Sequence, residues 1–322
     1  MKNMVSISGI ILLCLFAFQK ASASESTGMQ FLLTGPSAYN MGISEAHTAS
    51  LSGSSAIYIN PAMLAREETN SATLSYMLWP VTDTQNSFAG VTFVRDRDAF
   101  GLAFLSSLID DINHYGNQPS SEPVGSFAIR YFSIATSYAR SFGPLSFGLT
   151  GMYLYEQYLV DDASGVGLNA GINLSIMDDR ISLASSLRNL GSMNELRDTS
   201  TNLPTLVSFG ADIKLLQFST TALEDEIPFM ISLLGDYNLP INEIEKVDGS
   251  INAQDEGYVN LGLELNISEI IDLRTGYRSG DTQRRFSYGA GVLINEFYIN
   301  YAFLPYETGF GTAHAISLQY SF

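Results

Sequence analysis

Cysteine is nearly absent from this chain of 322 residues, which contains one, Cys14. A disulfide framework is therefore excluded. Charge is also scarce: 15% of residues are charged, against roughly 25% in an average soluble domain. Positive charge is scarcer still, with 16 Lys and Arg against 33 Asp and Glu, a formal charge of −17. Such a chain has no general basic surface for the phosphates of nucleic acid. Beyond the N-terminus no apolar run approaches the ~18 residues of a membrane-crossing helix, so a membrane role requires a closed sheet. What is abundant is apolar and aromatic: 46% hydrophobic residues, 19 Phe, 17 Tyr and 27 Gly. That excludes disorder and leaves a combination, apolar yet acidic, that needs a structural explanation.

The N-terminus reads as an export signal. Lys2 precedes an apolar run from Val5 to Phe18, and Ala21-Ser22-Ala23 has the small-x-small pattern of a cleavage site before Ser24. The run is short for a membrane anchor, and Leu13 before Cys14 does not suit lipidation. Removal of residues 1–23 takes away the cysteine and two lysines and leaves a formal charge of −19. The expected organisation is a signal over 1–23, an irregular or partly helical segment over 24–70 and a sheet over 71–322.

After Ser71 the pattern alternates. Val259, Leu261, Leu263, Leu265 and Ile267 share one face of a strand, and Asn260, Gly262, Glu264 and Asn266 share the other. Val166 to Ile176 and Val207 to Leu215 behave in the same way. Marking each run predicts fourteen strands: 71–79, 87–95, 98–108, 131–142, 145–157, 165–177, 180–190, 204–216, 227–238, 257–267, 270–279, 284–294, 297–304 and 313–322. The fold class expected is an all-β transmembrane antiparallel barrel, since such barrels have even strand numbers and apolar faces turned to lipid.

The connections sort by parity. Those expected on the periplasmic side are short: Phe142–Pro144, Met177–Asp179, Ser268-Glu269 and Asn295-Glu296. Those expected outside are long: Leu108–Arg130, Gly191–Leu203 and Leu239–Glu256. Gln217–Glu226 breaks the rule. The chain closes on an alternating aromatic strand in which Ile316, Leu318, Tyr320 and Phe322 share a face. A terminal Phe of this kind, with Tyr320, resembles the signal that the barrel assembly machinery reads. Tyr131, Phe132, Tyr153, Phe297 and Tyr301 lie near strand ends, as an interfacial girdle requires.

Charges within strands fall on the polar face: Arg188, Asp212, Lys214, Asp236, Glu264, Asp272, Arg274 and Arg278. In a barrel that face is the lumen, where ion pairs are expected. Much of the remaining acid falls in expected outer loops, including Asp110-Asp111, Asp161-Asp162, Asp198, Glu243, Glu245, Asp248, Asp255 and Glu256. His47, His114 and His314 stand apart, without metal-ligand spacing or a nucleophile motif, so no metal, cofactor or enzyme activity is expected.

The segment over 28–65 carries a resemblance. Gln30-Phe-Leu, Ala38-Tyr-Asn-Met-Gly42, Ala46-His-Thr-Ala49 and Ile57-Tyr-Ile-Asn-Pro-Ala-Met-Leu64 resemble the opening of the PorV/PorQ family, which belongs with FadL-like outer-membrane barrels. Asn60-Pro61-Ala62 is its most specific piece. Ser50–Ser55 departs from the family, where acids are usual at that point. The resemblance implies a fourteen-stranded barrel whose N-terminal segment folds inward as a hatch.

For FadL-like proteins it further implies that a hydrophobic small molecule passes by the hatch and leaves sideways through the wall. Phe31, Leu32, Leu33, Tyr58, Asn60, Pro61, Ala62 and Met63 are the residues expected to bind it. For PorV-like proteins it implies instead a partner role in type IX secretion. Outer-membrane lipid and the assembly machinery are expected partners in either case, and nucleic acid is not.

Overall fold

The computed structural model describes residues 28–80, 83–115, 122–196, 201–222, 225–241, 257–307, 309 and 311–322. The expected signal, with Ala21, Ala23 and Ser24, lies outside the described residues, as do Asp198 and the acids of 243–256.

Fourteen strands form one closed antiparallel barrel. They are β1 Ser71–Leu78, β2 Gln85–Arg95, β3 Asp98–His114, β4 Gly125–Phe142, β5 Leu145–Tyr158, β6 Asp161–Ile176 and β7 Ile181–Met193. There follow β8 Leu206–Ala222, β9 Asp225–Pro240, β10 Tyr258–Ile267, β11 Ile271–Arg278, β12 Phe286–Ile294, β13 Phe297–Pro305 and β14 Thr312–Ser321. β14 closes onto β1, with Ser71 opposite Ser321 and Leu78 opposite His314. Closure pairs the edges that an open sheet would leave. The rim where β1 starts and β14 ends is called here the near rim.

Local chemistry sets the near-rim turns. Ser268 and Glu269 both take left-handed backbone, φ 55 and 58, as a two-residue turn matched to strand twist requires. Gly143, with φ 65, does the same between β4 and β5. Three connections differ from the sequence expectation. The β3–β4 ladder continues past a bulge at Ile109/Ile112 to pair His114 with Gly125, so Asp110 and Asp111 lie on a strand. Asp161 and Asp162 likewise open β6. The stretch 217–226 is mostly ladder too, pairing Gln217 with Met230 and Ala222 with Asp225. Its exception to the parity rule is thus a hairpin that outruns its neighbours. The β7 ladder stops at Ile213 and the β10 ladder at Phe229.

The outer face is apolar. Leu74 is 61% exposed and Leu149 64%, and similar side chains encircle the barrel. A continuous band of this kind is a surface for lipid, since soluble monomers rarely expose apolar patches above a few hundred Å². At the near rim Phe297 stacks on Tyr320, Tyr320 on Phe322, and Phe322 meets Phe93 edge-on.

Residues 28–70 lie against the inner wall. They carry two short helices, α1 (Ala38–Gly42) and α2 (Ala56–Ile59), and 3₁₀ turns at Gln30–Leu33, Gly53–Ser55 and Pro61–Arg66. Asn60-Pro61-Ala62 has a clear local reason. Asn60 caps the last turn, its Oδ1 accepting the Ala62 N–H at 3.1 Å, and Pro61 occupies the first turn position. Asn60 Nδ2 also donates to the Thr48 carbonyl at 2.8 Å. Two wall glycines let this element approach. A Cβ on Gly148 would enter the backbone of Pro61 and Ala62, and one on Gly171 would enter Asn60.

The lumen is divided. Under β2–β7 it is apolar: Phe31, Leu32, Ile57, Tyr58, Met63 and Leu64 pack against Phe88, Leu105, Met152, Leu154 and Met193. Under β7–β13 it is polar, with Arg188, Asp236, Asn260, Asp272, Arg274 and Asn300 buried against the hatch.

Candidate functional site

A crevice of about 420 Å³ faces outward across β3–β7. Phe100, Tyr138, Leu149, Leu168, Leu187 and Leu190 form its sides, and Ser137, Thr150, Gly151 and Asn169 its floor. Its cause is a break in pairing. The β6–β7 register slips between Leu168 and Ala170, with Asn189 in left-handed backbone at φ 58. The Asn189 N–H donates to Asn169 Oδ1 at 2.7 Å, a side-chain acceptor in place of a ladder carbonyl. Asn189 Nδ2 donates to the Pro204 carbonyl at 3.2 Å, and Thr205 Oγ1 returns a bond to the Asn189 carbonyl at 2.9 Å. These bonds keep the bulge satisfied while the ladder is interrupted.

One layer separates this crevice from the hatch. Thr150 Oγ1 donates to the Ile57 carbonyl at 2.9 Å, and Asn169 Nδ2 to the Tyr58 carbonyl at 3.4 Å. The Tyr58 hydroxyl donates to the Ser133 carbonyl at 3.1 Å. A shift of α2 would therefore move the floor of the crevice directly.

The residues singled out from the sequence sit around this arrangement. Phe31, Leu32, Tyr58 and Met63 are buried together in the apolar half. Leu33 is half-buried. Asn60, Pro61 and Ala62 press on β5 and β6 through the glycine contacts above. None of them lines the crevice. The wall residues that form it escaped sequence reading. The available signal was the paired polar residues Arg188-Asn189, which break the alternation of β7.

Two of the lumen charges, Asp236 and Arg278, anchor the hatch. Glu45 lies in the turn after α1. Its Oε2 accepts from Arg278 and, at 3.0 Å, from Arg284, while its Oε1 accepts the Gly35 N–H at 2.9 Å. Arg278 also lies over the Tyr258 ring and Arg284 over that of Trp79. Asp236 accepts the N–H groups of His47 and Thr48, both at 2.9 Å, and the Thr48 hydroxyl at 2.7 Å. Arg274 pairs with Glu264 and Asp272 and lies 4.6 Å over the Tyr39 ring. Lys214 is exposed, and Asp212 Oδ1 and Arg188 Nε have no hydrogen-bond partner. Arg274 thus pairs along the wall with Glu264 and Asp272, whereas Asp236 and Arg278 meet the hatch.

His47 is buried in the hatch, His114 ends β3, and His314 faces outward, its Nδ1 2.7 Å from the Tyr301 hydroxyl. Among the described residues no group of three His, Cys, Asp or Glu side chains converges.

Two hatch carboxyls and one hatch imidazole are shifted from their ordinary ranges. Burial pushes the Glu45 carboxyl up, but Arg284, Arg278 and His47 together hold it down at about 2. Burial, aided by Arg188, keeps His47 neutral down to about 3. Burial raises Glu67 to about 7, opposed by the Gly53 N–H that it accepts. Glu45 contributes stability that is complete above its ordinary 4.5 and lost toward 2. His47 loses stability as pH falls below its ordinary 6.5, because only the unfolded chain then takes the proton. Glu67 has the opposite sign, gaining stability as pH falls from about 7 to 4.5. These latter two offset each other between pH 6.5 and 4.5, and below that Glu45 and His47 fail together. Melting of the purified barrel should show this plateau and fall, and in Glu67→Gln the fall should begin near pH 6.5. A variant whose profile matches the wild type would contradict the assignment.

No family model and no curated protein matches this chain. Solved structures do. The toluene transporter TodX of Pseudomonas putida aligns with a TM-score of 0.59 at 10% identity, over 93% of this chain and 99% of that one. The Ralstonia pickettii toluene transporter TbuX aligns at 0.57 and 12%, over 91% and 100%. A Pseudomonas aeruginosa FadL homologue aligns at 0.54 and 11%, over 89% and 98%. At these identities the likeness is one of fold alone: the closed fourteen-stranded barrel of this chain aligns along nearly the whole length of each.

Proposed function

We propose that this protein is a FadL-like channel of the bacterial outer membrane that passes hydrophobic small molecules from the apolar half of its lumen sideways into lipid. The observation that carries this reading is the crevice at the β6–β7 bulge, apolar at its sides and hydrogen-bonded through its floor to hatch helix α2. Pockets for small molecules combine apolar walls with a few placed polar groups in this way. The transport of toluene by the structural neighbours TodX and TbuX supports the same class of cargo. The outward apolar band supports placement in a membrane. The type IX secretion reading rests on the motif of residues 28–65 alone, and no structural neighbour adds to it.

Gly151 supplies the test. A Cβ there would meet no atom within 4 Å, so Gly151→Phe fills the crevice without displacing the wall. In a deletion strain complemented with this variant, uptake of a monoaromatic hydrocarbon should fall severalfold while barrel assembly stays normal. Uptake equal to the wild type would remove the lateral route. Equal uptake by the deletion strain and its parent would remove the transport reading altogether.

A further inference from the structure

Among the described residues, most of the deeply buried lumen acids have a charged or N–H partner. Glu45 has its two arginines, Asp236 the hatch N–H groups, and Asp272 has Arg274 and the Asn266 amide. Glu156 has none of these. It points inward from β5 at 8% exposure, opposite Tyr131 on β4 and Ala163 on β6. Its Oε1 is fully buried without a hydrogen-bond partner, and among the described residues no ion pair reaches it. Its surroundings are the far-rim side of the apolar half, where Phe31 of the hatch stacks on Tyr131 at 5.7 Å and 23°. Met29, Leu154 and Met193 belong to the same cluster.

A buried carboxylate oxygen without a partner among apolar side chains costs stability, and Leu or Met would pack there without that cost. One carboxylate beside a tyrosine ring that is backed by a second ring is chemistry that recognises an organic ammonium. The acid supplies the counter-charge and the rings supply cation–π attraction. We infer that Glu156, with Phe31 and Tyr131, forms a recognition site for hydrophobic molecules that carry a protonated amine. The inference rests on the channel reading and narrows its cargo: a plain hydrocarbon leaves Glu156 unpaired, whereas an aryl-alkyl amine satisfies it.

Three probes of one skeleton test this by equilibrium binding to the purified full-length barrel: ethylbenzene, 2-phenylethanol and 2-phenylethylamine. The wild type should bind the amine about tenfold more tightly than ethylbenzene, the scale of one charge-assisted hydrogen bond. Glu156→Gln should abolish that preference by weakening amine binding far more than ethylbenzene binding. Glu156→Asp, which keeps the charge, should retain most of it. Equal affinity for amine and hydrocarbon overturns the inference while the channel reading stands. So does a preference for the alcohol over the amine, or an equal loss of all three probes in Glu156→Gln. Failure of the wild type to bind any probe overturns both readings.

Discussion

Alanine in place of Glu45 is expected to release the hatch. Two arginines, Arg278 and Arg284, converge on this one carboxylate from β11 and the connection that follows it. Arg284 is 9% exposed and Glu45 4%. Removing one partner of a buried ion pair strands the other, at a cost of about 3–5 kcal/mol. Here the loss falls on docking of the hatch and not on the wall, because both arginines sit on strands or turns held by the ladder. The Gly35 N–H loses its acceptor as well. The expected result is a barrel that still assembles and resists heat in gel migration, but conducts in planar bilayers and admits antibiotics normally excluded by size. Glu45→Gln, which keeps an acceptor for Gly35, should fall between the two. A closed, non-conducting Glu45→Ala barrel would show that the ion pairs do not hold the hatch.

Gly148→Ala should have a comparable effect by a different route. The new methyl would occupy the space of the Pro61 carbonyl group and the Ala62 nitrogen. These are backbone atoms and cannot rotate away, so the hatch must move as a body. Overpacking typically costs roughly 1–3 kcal/mol, and a backbone contact belongs at the upper end. Gly235→Ala is the control: it lies on β9, where the nearest atoms to a new Cβ are 3.5 Å and 3.9 Å away. Conductance and protease sensitivity of the hatch should rise in Gly148→Ala and stay at wild-type level in Gly235→Ala. Equal behaviour of the two variants would show that the glycine contact is not needed for docking.

Both predictions concern contacts that alternation cannot reveal. Strand identity was legible because it is local: a period of two in Tyr258–Ile267 places Leu261 and Leu263 outward and Asn260 and Gly262 inward, whatever lies across the lumen. The count of fourteen and the closing strand at Phe322 follow from repeating that reading, and the structure agrees. The reading failed where polar residues also alternate. The stretch 217–226 lacks an apolar period in sequence, with Gln217, Ser219 and Thr221 polar, yet it pairs with β9 as a projecting hairpin.

The site was less legible than the wall. Asn60-Pro61-Ala62 marked the hatch, and its capping role follows from residue type. Its partners Gly148 and Gly171 are more than eighty residues away in sequence and are ordinary strand glycines until the hatch is placed on them. The crevice depends on a register slip beside Asn169, which changes no residue type on the outer face.

The sequence by itself determined that this chain is a barrel with an apolar exterior, few charges and no cysteine after its first segment. Those properties depend on which face each residue occupies, and a strand's geometry decides that alone. Only the tertiary structure decided what the inward charges do. Asp236 and Arg278 meet the hatch, and Glu156 Oε1 finds no hydrogen-bond partner among the described residues. The physical reason is that a closed wall brings together side chains far apart in sequence, Glu45 and Arg278 among them. The energy of a buried charge depends on which partner it finds there.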